Sequence, residues 1–195
     1  EVNKWLERIT KFSSEINYLL ADIQIKGTAK LDGFAGYDDG NKLYTRGDGN
    51  KGSDISRVFE RGLGVFNNSE RGQGPGEIVV KRSYFEKYLS NHFEYPRNFQ
   101  ASLIKEKELD KLAIDAISAK AALFVPFNQL PHWLGGIDEF RKQFLDVVSQ
   151  LEGGVDFDID GVVFEIVNPE LKKHMGSNRK FHRWQIAFKE NKEKA

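Results

Sequence analysis

The sequence contains no cysteine, which removes disulfide scaffolds, thiolate metal sites and cysteine nucleophiles together and fits a reducing compartment. It has no surplus of either charge, because 29 Lys and Arg balance 29 Asp and Glu. A nucleic-acid surface must therefore come from local segregation of charge and not from bulk basicity. No apolar run approaches the roughly 20 residues that span a bilayer. The opening residues, Glu1-Val2-Asn3-Lys4-Trp5, lack the basic and apolar stretches of a signal peptide. The expectation is a soluble, cytoplasmic protein with no membrane partner. The four histidines, His92, His132, His174 and His182, have no zinc-ligand spacing.

What is present is ample apolar material. The 195 residues are 39% hydrophobic and include 15 Phe, enough for one domain or for a large and a small lobe. Val2, Trp5, Leu6, Ile9 and Phe12 follow helical spacing, and Ile16, Leu19 and Leu20 extend the pattern. Residues 1–22 are read as a helical region that packs on a main domain of residues 23–195. Residues 23–37 are strand-like and broken by Gly27, Asp38-Asp39-Gly40-Asn41 is a turn, and residues 42–46 return, which predicts a hairpin with Lys30 at its upstream end. Glycine-rich loops are expected at residues 47–52 and 72–76, the second running into a strand at 77–80, so that Lys30 and Glu77 each begin a strand. Helices are predicted at residues 83–90, 105–118 and 137–151, and strands at 121–127, 159–167 and 182–189, ahead of a charged tail. The order is that of a mixed α+β fold.

Lys30 and Asp32 stand two apart on an extended segment, so their side chains share one face of a sheet. A lysine amine attacks phosphorus only when deprotonated, and a nearby carboxylate can orient it or hold a ribose hydroxyl. Taken alone, Lys30-Leu31-Asp32-Gly33 equally describes an exposed strand end before a glycine turn.

The neighbouring residues extend the pattern. Residues 30–56, from Lys30-Leu31-Asp32-Gly33 through Thr45-Arg46-Gly47-Asp48-Gly49, resemble the active-site lysine motif of NAD-dependent DNA ligases and the segment that follows it. The resemblance continues in the family's order through Gly76-Glu77-Ile78-Val79, Tyr95-Pro96-Arg97-Asn98 with Leu103 and Lys105, Asp158-Ile159-Asp160-Gly161-Val162-Val163, and Arg183-Trp184-Gln185-Ile186-Ala187-Phe188-Lys189.

This resemblance implies a nucleotidyltransferase (ATP-grasp-like ligase) fold, with antiparallel sheets flanked by helices. It implies that Lys30 takes AMP from NAD, that AMP passes to the 5′-phosphate of nicked double-stranded DNA, and that Mg²⁺ assists. Asp32, Glu77 and Asp160 would be the carboxylates that orient the ribose or bind metal, with the metal ligands themselves left open. Lys189 would contact the adenylate phosphate, and Arg97 with Lys105 would face the departing mononucleotide or DNA phosphate. Leu31, Gly33, Arg46 and Glu77 would complete the nucleotide site. Fixed cations and metal-bearing carboxylates are what a phosphoryl group gathering negative charge requires.

Three positions depart from the family pattern. Thr28 stands where a glutamate usually precedes the lysine by two residues, Glu165 stands where a phosphate-binding lysine is usual, and Glu152 replaces an arginine eight residues before Asp160. The resemblance also implies partner modules, namely a small domain that captures nicotinamide mononucleotide and DNA-encircling domains, either missing here or on a second subunit of a split or minimal ligase, viral members included. Two alternatives stay open: an ATP-dependent DNA or RNA ligase domain, and a non-catalytic module that binds nucleic acid or a partner. Thr45 to Gly49, Tyr95 to Asn98 and the Arg183-Trp184 segment resemble the NAD class, and Lys30 with its four companion charges favours an enzyme.

Overall fold

The computed structural model describes residues 1–46, 52–178 and 182–189. In chain order its strands are β1 (Gln24–Leu31), β2 (Phe34–Asp38), β3 (Leu43–Thr45), β4 (Gly64–Val65), β5 (Gly74–Val80), β6 (Ala122–Pro126), β7 (His132–Gly136), β8 (Ile159–Ile166) and β9 (Gln185–Phe188). The helices are α1 (Val2–Glu15), α2 (Arg57–Glu60), α3 (Arg82–Tyr84, continued by a π turn at Phe85–Leu89), α4 (Pro96–Lys105), α5 (Lys111–Ser118), α6 (Ile137–Gly153) and α7 (Pro169–Met175). The protein is α+β, as its pattern predicts, and its contacts divide it into two compact units.

The first unit holds Glu1–Lys30, Pro131–Val155 and Ile159–Ala195. Its four-stranded sheet has the order β7-β1-β8-β9. Period-two alternation buries Ile25, Gly27 and Ala29 of β1 and Val162, Phe164 and Ile166 of β8 on one face. Trp5 and Ile9 of α1, Phe140 and Val148 of α6 and Leu171 and Met175 of α7 complete that core. Removing a side chain of this size from water contributes about 1.5–3 kcal/mol. Gly27 does not break β1. It lies inside the strand because a Cβ there would meet the Phe164 ring at 2.7 Å. The opening helix stops at Glu15 and not near Leu20. Asn17, at φ 56°, turns the chain left-handed, its N–H donates to Ser14 O, and the Tyr18 N–H donates to Ser13 O, which closes the helix as a Schellman motif. Leu19 and Leu20, counted as apolar-face residues from their spacing, are exposed.

The second unit holds Leu31–Leu130 and Asp156–Asp158. Its five-stranded sheet has the order β3-β2-β5-β6-β4. The sheet is mixed and not purely antiparallel, because β4 pairs with β6 in parallel. Leu43, Ile78, Val80 and Phe124 face Val58 of α2, Phe99 and Leu103 of α4 and Ala116 of α5 across its core. The predicted hairpin forms between β2 and β3, with Tyr37 opposite Tyr44. Asp38 is 1% exposed and takes hydrogen bonds from Arg71 Nε at 2.8 Å, Arg71 Nη2 at 2.9 Å and the amides of Gly40 and Gly72. The Arg71 guanidinium also stacks on Phe59, 3.7 Å from the ring centroid.

Several expected boundaries move. The break in the long strand falls at Asp32-Gly33, so β1 and β2 enter different sheets and Lys30 is not the upstream end of the hairpin. Lys30 lies one residue from the end of β1, and Glu77 is in the middle of β5, which already includes Gly74 and Pro75 of the expected loop. The helix predicted at residues 105–118 is two helices: α4 ends where it was to begin, and α5 starts after Asp110 accepts from the Ala113 amide as N-cap. The elements predicted at 121–127, 137–151 and 159–167 form with shifts of one or two residues. Residues 47–51 of the first glycine-rich loop and the tail beyond Lys189 lie outside the described residues. Among the described residues no helix is long and apolar enough to cross a membrane.

Candidate functional site

The motif residues are organised within each unit. In the first unit, Lys30 is exposed and shares a face of β1 with Lys26 and Thr28, opposite the buried Ile25, Gly27 and Ala29. In that unit the sheet carries β8 next to β1, and Asp160 stands near the start of β8. Lys189 Nζ lies 2.9 Å from Asp160 Oδ1. Gly161 makes that pairing possible. Its φ of 109° and its bare Cα admit the end of β9, where a Cβ would meet Phe188 O at 2.5 Å and the Lys189 Cα at 3.5 Å. Glu165, the departure from the family's lysine, is half-buried on β8 opposite Gln185, on the face away from Phe164 and Ile166.

In the second unit, the Asp32-Gly33 bend meets Glu77. The Gly33 amide donates to Glu77 Oε2 at 2.8 Å, and Glu77 is 9% exposed. Gly33 tolerates no side chain, since a Cβ would come within 2.5 Å of Ile78 O and 2.6 Å of Val79 Cγ1. Leu31 is buried just before the bend, and Asp32 is half-buried. The Asp32 amide donates to Asp158 O at 2.9 Å. Burial pushes the Asp158 carboxyl above the usual carboxylate range; Arg82, with Nε 3.4 Å away, opposes the rise, and the charges of Asp32 and Glu86 add to it.

Arg46 is exposed and lines a cavity of about 640 Å³ with Ala35, Tyr37, Tyr44, Pro75 and Phe127. Arg97 is exposed in the first turn of α4, and Lys105 is exposed at its last residue. Among the described residues no group of three or more His, Asp or Glu side chains is placed to hold a metal by itself. Mg²⁺ usually keeps several waters and is held by one or two carboxylates together with substrate phosphates. Asp32 and Asp160 fit that use.

Sequence reading singled out Gly33 and Glu77, and the structure joins them; it does the same for Asp160 and Lys189. It missed Asp158, Arg82 and Gln100, whose Nε2 donates to the Asp32 carbonyl at 3.0 Å. Asp158 had a signal, the Asp-Ile-Asp spacing to Asp160, whereas Gln100 had none.

These features belong to a chain that is similar, over its whole length, to proteins named DNA ligase. The DNA ligase of Ruthia magnifica subsp. Calyptogena magnifica is 65% identical over 195 residues, 100% of this chain and 32% of that protein. That of Shewanella baltica is 51% identical over 195 residues, again 100% of this chain and 30% of that protein. That of Desulfotalea psychrophila is 50% identical over 192 residues, 98% of this chain and 28% of that protein. The chain thus spans about a third of the length of the curated relatives it matches. No protein-family model matches it.

Proposed function

We propose that this chain is the adenylation domain of an NAD-dependent DNA ligase, with a nucleotidyltransferase fold and Lys30 as the residue that carries AMP. The observation that supports this best is that motif residues far apart in sequence meet in the folded chain, Gly33 with Glu77 and Asp160 with Lys189. The similarity to DNA ligases along the full chain supports the same reading.

In this reading Lys30 Nζ gives up a proton and attacks the α-phosphorus of NAD; a nitrogen–phosphorus bond forms, the bond to nicotinamide mononucleotide breaks, and that group leaves. The AMP then passes to the 5′-phosphate of nicked DNA, and the 3′-hydroxyl displaces it. Lys189 supplies positive charge near the phosphate, and Asp160, its partner, fixes the ammonium in place. Glu77 holds the Gly33 amide and thereby sets the direction of the chain just after the nucleophile. Arg46 and the aromatic wall of its cavity offer a stacking surface and a cation to the nucleotide or to DNA. Arg97 and Lys105 face the departing mononucleotide or the DNA phosphate. Asp32 or Asp160, together with substrate phosphate, would hold Mg²⁺, which would supply charge neutralisation at that phosphate. The remaining ligase modules would come from the rest of a longer protein or from a second subunit.

Intact-protein mass measurement after incubation with NAD and Mg²⁺, and in parallel with ATP, tests the assignment. One AMP mass is expected with NAD on the wild-type chain once the small domain that captures nicotinamide mononucleotide is added in trans, and none on Lys30→Ala, whose melting temperature should match the wild type because Lys30 is exposed. An adduct formed from ATP instead would move the chain to the ATP-dependent class. An adduct retained in Lys30→Ala would overturn the nucleophile.

A further inference from the structure

We infer that Gln100 is the positioning residue of the segment that follows Lys30. The inference rests on the reading of Lys30 as the nucleophile, and it adds a residue that lies in none of the recognised motifs. Gln100 is on α4, 1% exposed, so it can touch neither a nucleotide nor DNA. It is nonetheless an amide in an apolar core, beside Phe99 and Leu103. A buried amide lacking partners costs free energy, so this one is kept only where both of its ends are used. Both are. Its Oε1 accepts from the Val80 amide at 2.9 Å, and its Nε2 donates to the Asp32 carbonyl at 3.0 Å.

Those two bonds tie together three elements that carry candidate site residues. Val80 ends β5, which carries Glu77. Asp32 begins the bend between β1 and β2. The helix that bears Gln100 also bears Arg97, one turn earlier on the same flank, and Lys105 at its end. Around Asp32 and Gly33 the backbone is held from three directions: the Asp32 amide by Asp158 O, the Asp32 carbonyl by Gln100, and the Gly33 amide by Glu77. Of the three residues that hold it, Gln100 is the one with an uncharged side chain, and it is 1% exposed, so it can fix the bend without taking part in the chemistry.

Residue-resolved amide exchange and AMP loading of the same full chain test this. Gln100→Met removes both bonds at similar volume, and Gln100→Glu keeps an acceptor for Val80 but sets a carboxylate against the Asp32 carbonyl. In Gln100→Met, exchange at Val80, Asp32 and Gly33 should rise at least tenfold. In Gln100→Glu it should rise at Asp32 and Gly33 alone. The β2–β3 hairpin amides serve as the internal control and should stay within twofold of wild type. In both variants AMP loading at saturating nucleotide should slow at least tenfold, with the half-saturating nucleotide concentration within threefold of wild type. Unchanged exchange at Asp32 and Gly33, a uniform rise that includes the hairpin, or undiminished loading would overturn the role. If wild type takes no AMP even with the small domain added in trans, the functional reading has failed, and amide exchange alone then decides whether Gln100 fixes the bend.

Discussion

Asp38 shows how one buried charge can settle a local structure. A carboxylate with 2% of its side chain exposed would be strongly disfavoured by itself, yet four donors surround it. Burial raises its pKa, but the hydrogen bonds from Arg71, Gly72 and Gly40 together with the Arg71 charge outweigh that and hold the carboxyl below its ordinary value. The sign follows: the stabilisation is complete above about pH 4, the unfolded carboxylate range, and is lost as pH falls through the lowered folded value. Asp38→Asn should therefore cost about 3 kcal/mol at pH 7, the low end of the range for a broken buried pair because Arg71 keeps 32% of its side chain in water. Denaturant unfolding of both proteins from pH 7 to pH 3 checks this, and the gap between them should narrow below about pH 4. A gap independent of pH would assign the effect to packing. Asp158 works in the opposite sense, since its raised carboxyl withdraws stability as pH climbs through its shifted range.

Among the elements, Gly161 is the clearest case in which local geometry bears on the candidate site. Gly161→Ala places a Cβ against Phe188 O at 2.5 Å and a side chain at φ 109°, so the end of β9 must retreat and take Lys189 from Asp160. AMP loading measured against nucleotide concentration should show at least a tenfold loss, recoverable in part at high concentration; loading equal to wild type would detach the Lys189 pair from catalysis. Elements with strong periodicity could be read from sequence. Ile137, Phe140, Phe144, Leu145 and Val148 mark α6, and the apolar run of β6 marks a buried strand. Leu145 fits the helical count but is 63% exposed, because spacing defines a stripe and not its edges. Short elements escaped. Nothing in the sequence predicts β7, and Gly135 is there because the Trp133 ring occupies the space of its side chain. For α4 and α7 the signal was present but unused: Pro96 and Pro169 sit at the first helical positions, where a missing N–H costs nothing. Of the site, Lys30, Glu77 and Asp160 stand out through motif order. The bend that joins Gly33 to Glu77 does not, since residues 44 apart meet only through strand register.

The two units differ in how their cores are assembled along the chain. The second unit's cluster lies wholly between Leu43 and Phe124, whereas the first unit's draws on both ends of the sequence, from Trp5 to Met175. Closing the longer loop costs more chain entropy before any contact rewards it. Pulse-labelled amide exchange during refolding should find β5 and β6 protected before β1 and β8, and simultaneous protection would show that one nucleus serves both cores. The first unit also holds every tryptophan of the chain: Trp5 lies within its core, and Trp133 and Trp184 pack against it. Indole emission is therefore an optical signal from that unit alone, while the second unit is dark apart from its tyrosines. A nucleotide that quenches this fluorescence must act, directly or through the backbone, on the unit that carries Lys30, and no label has to be attached to see it.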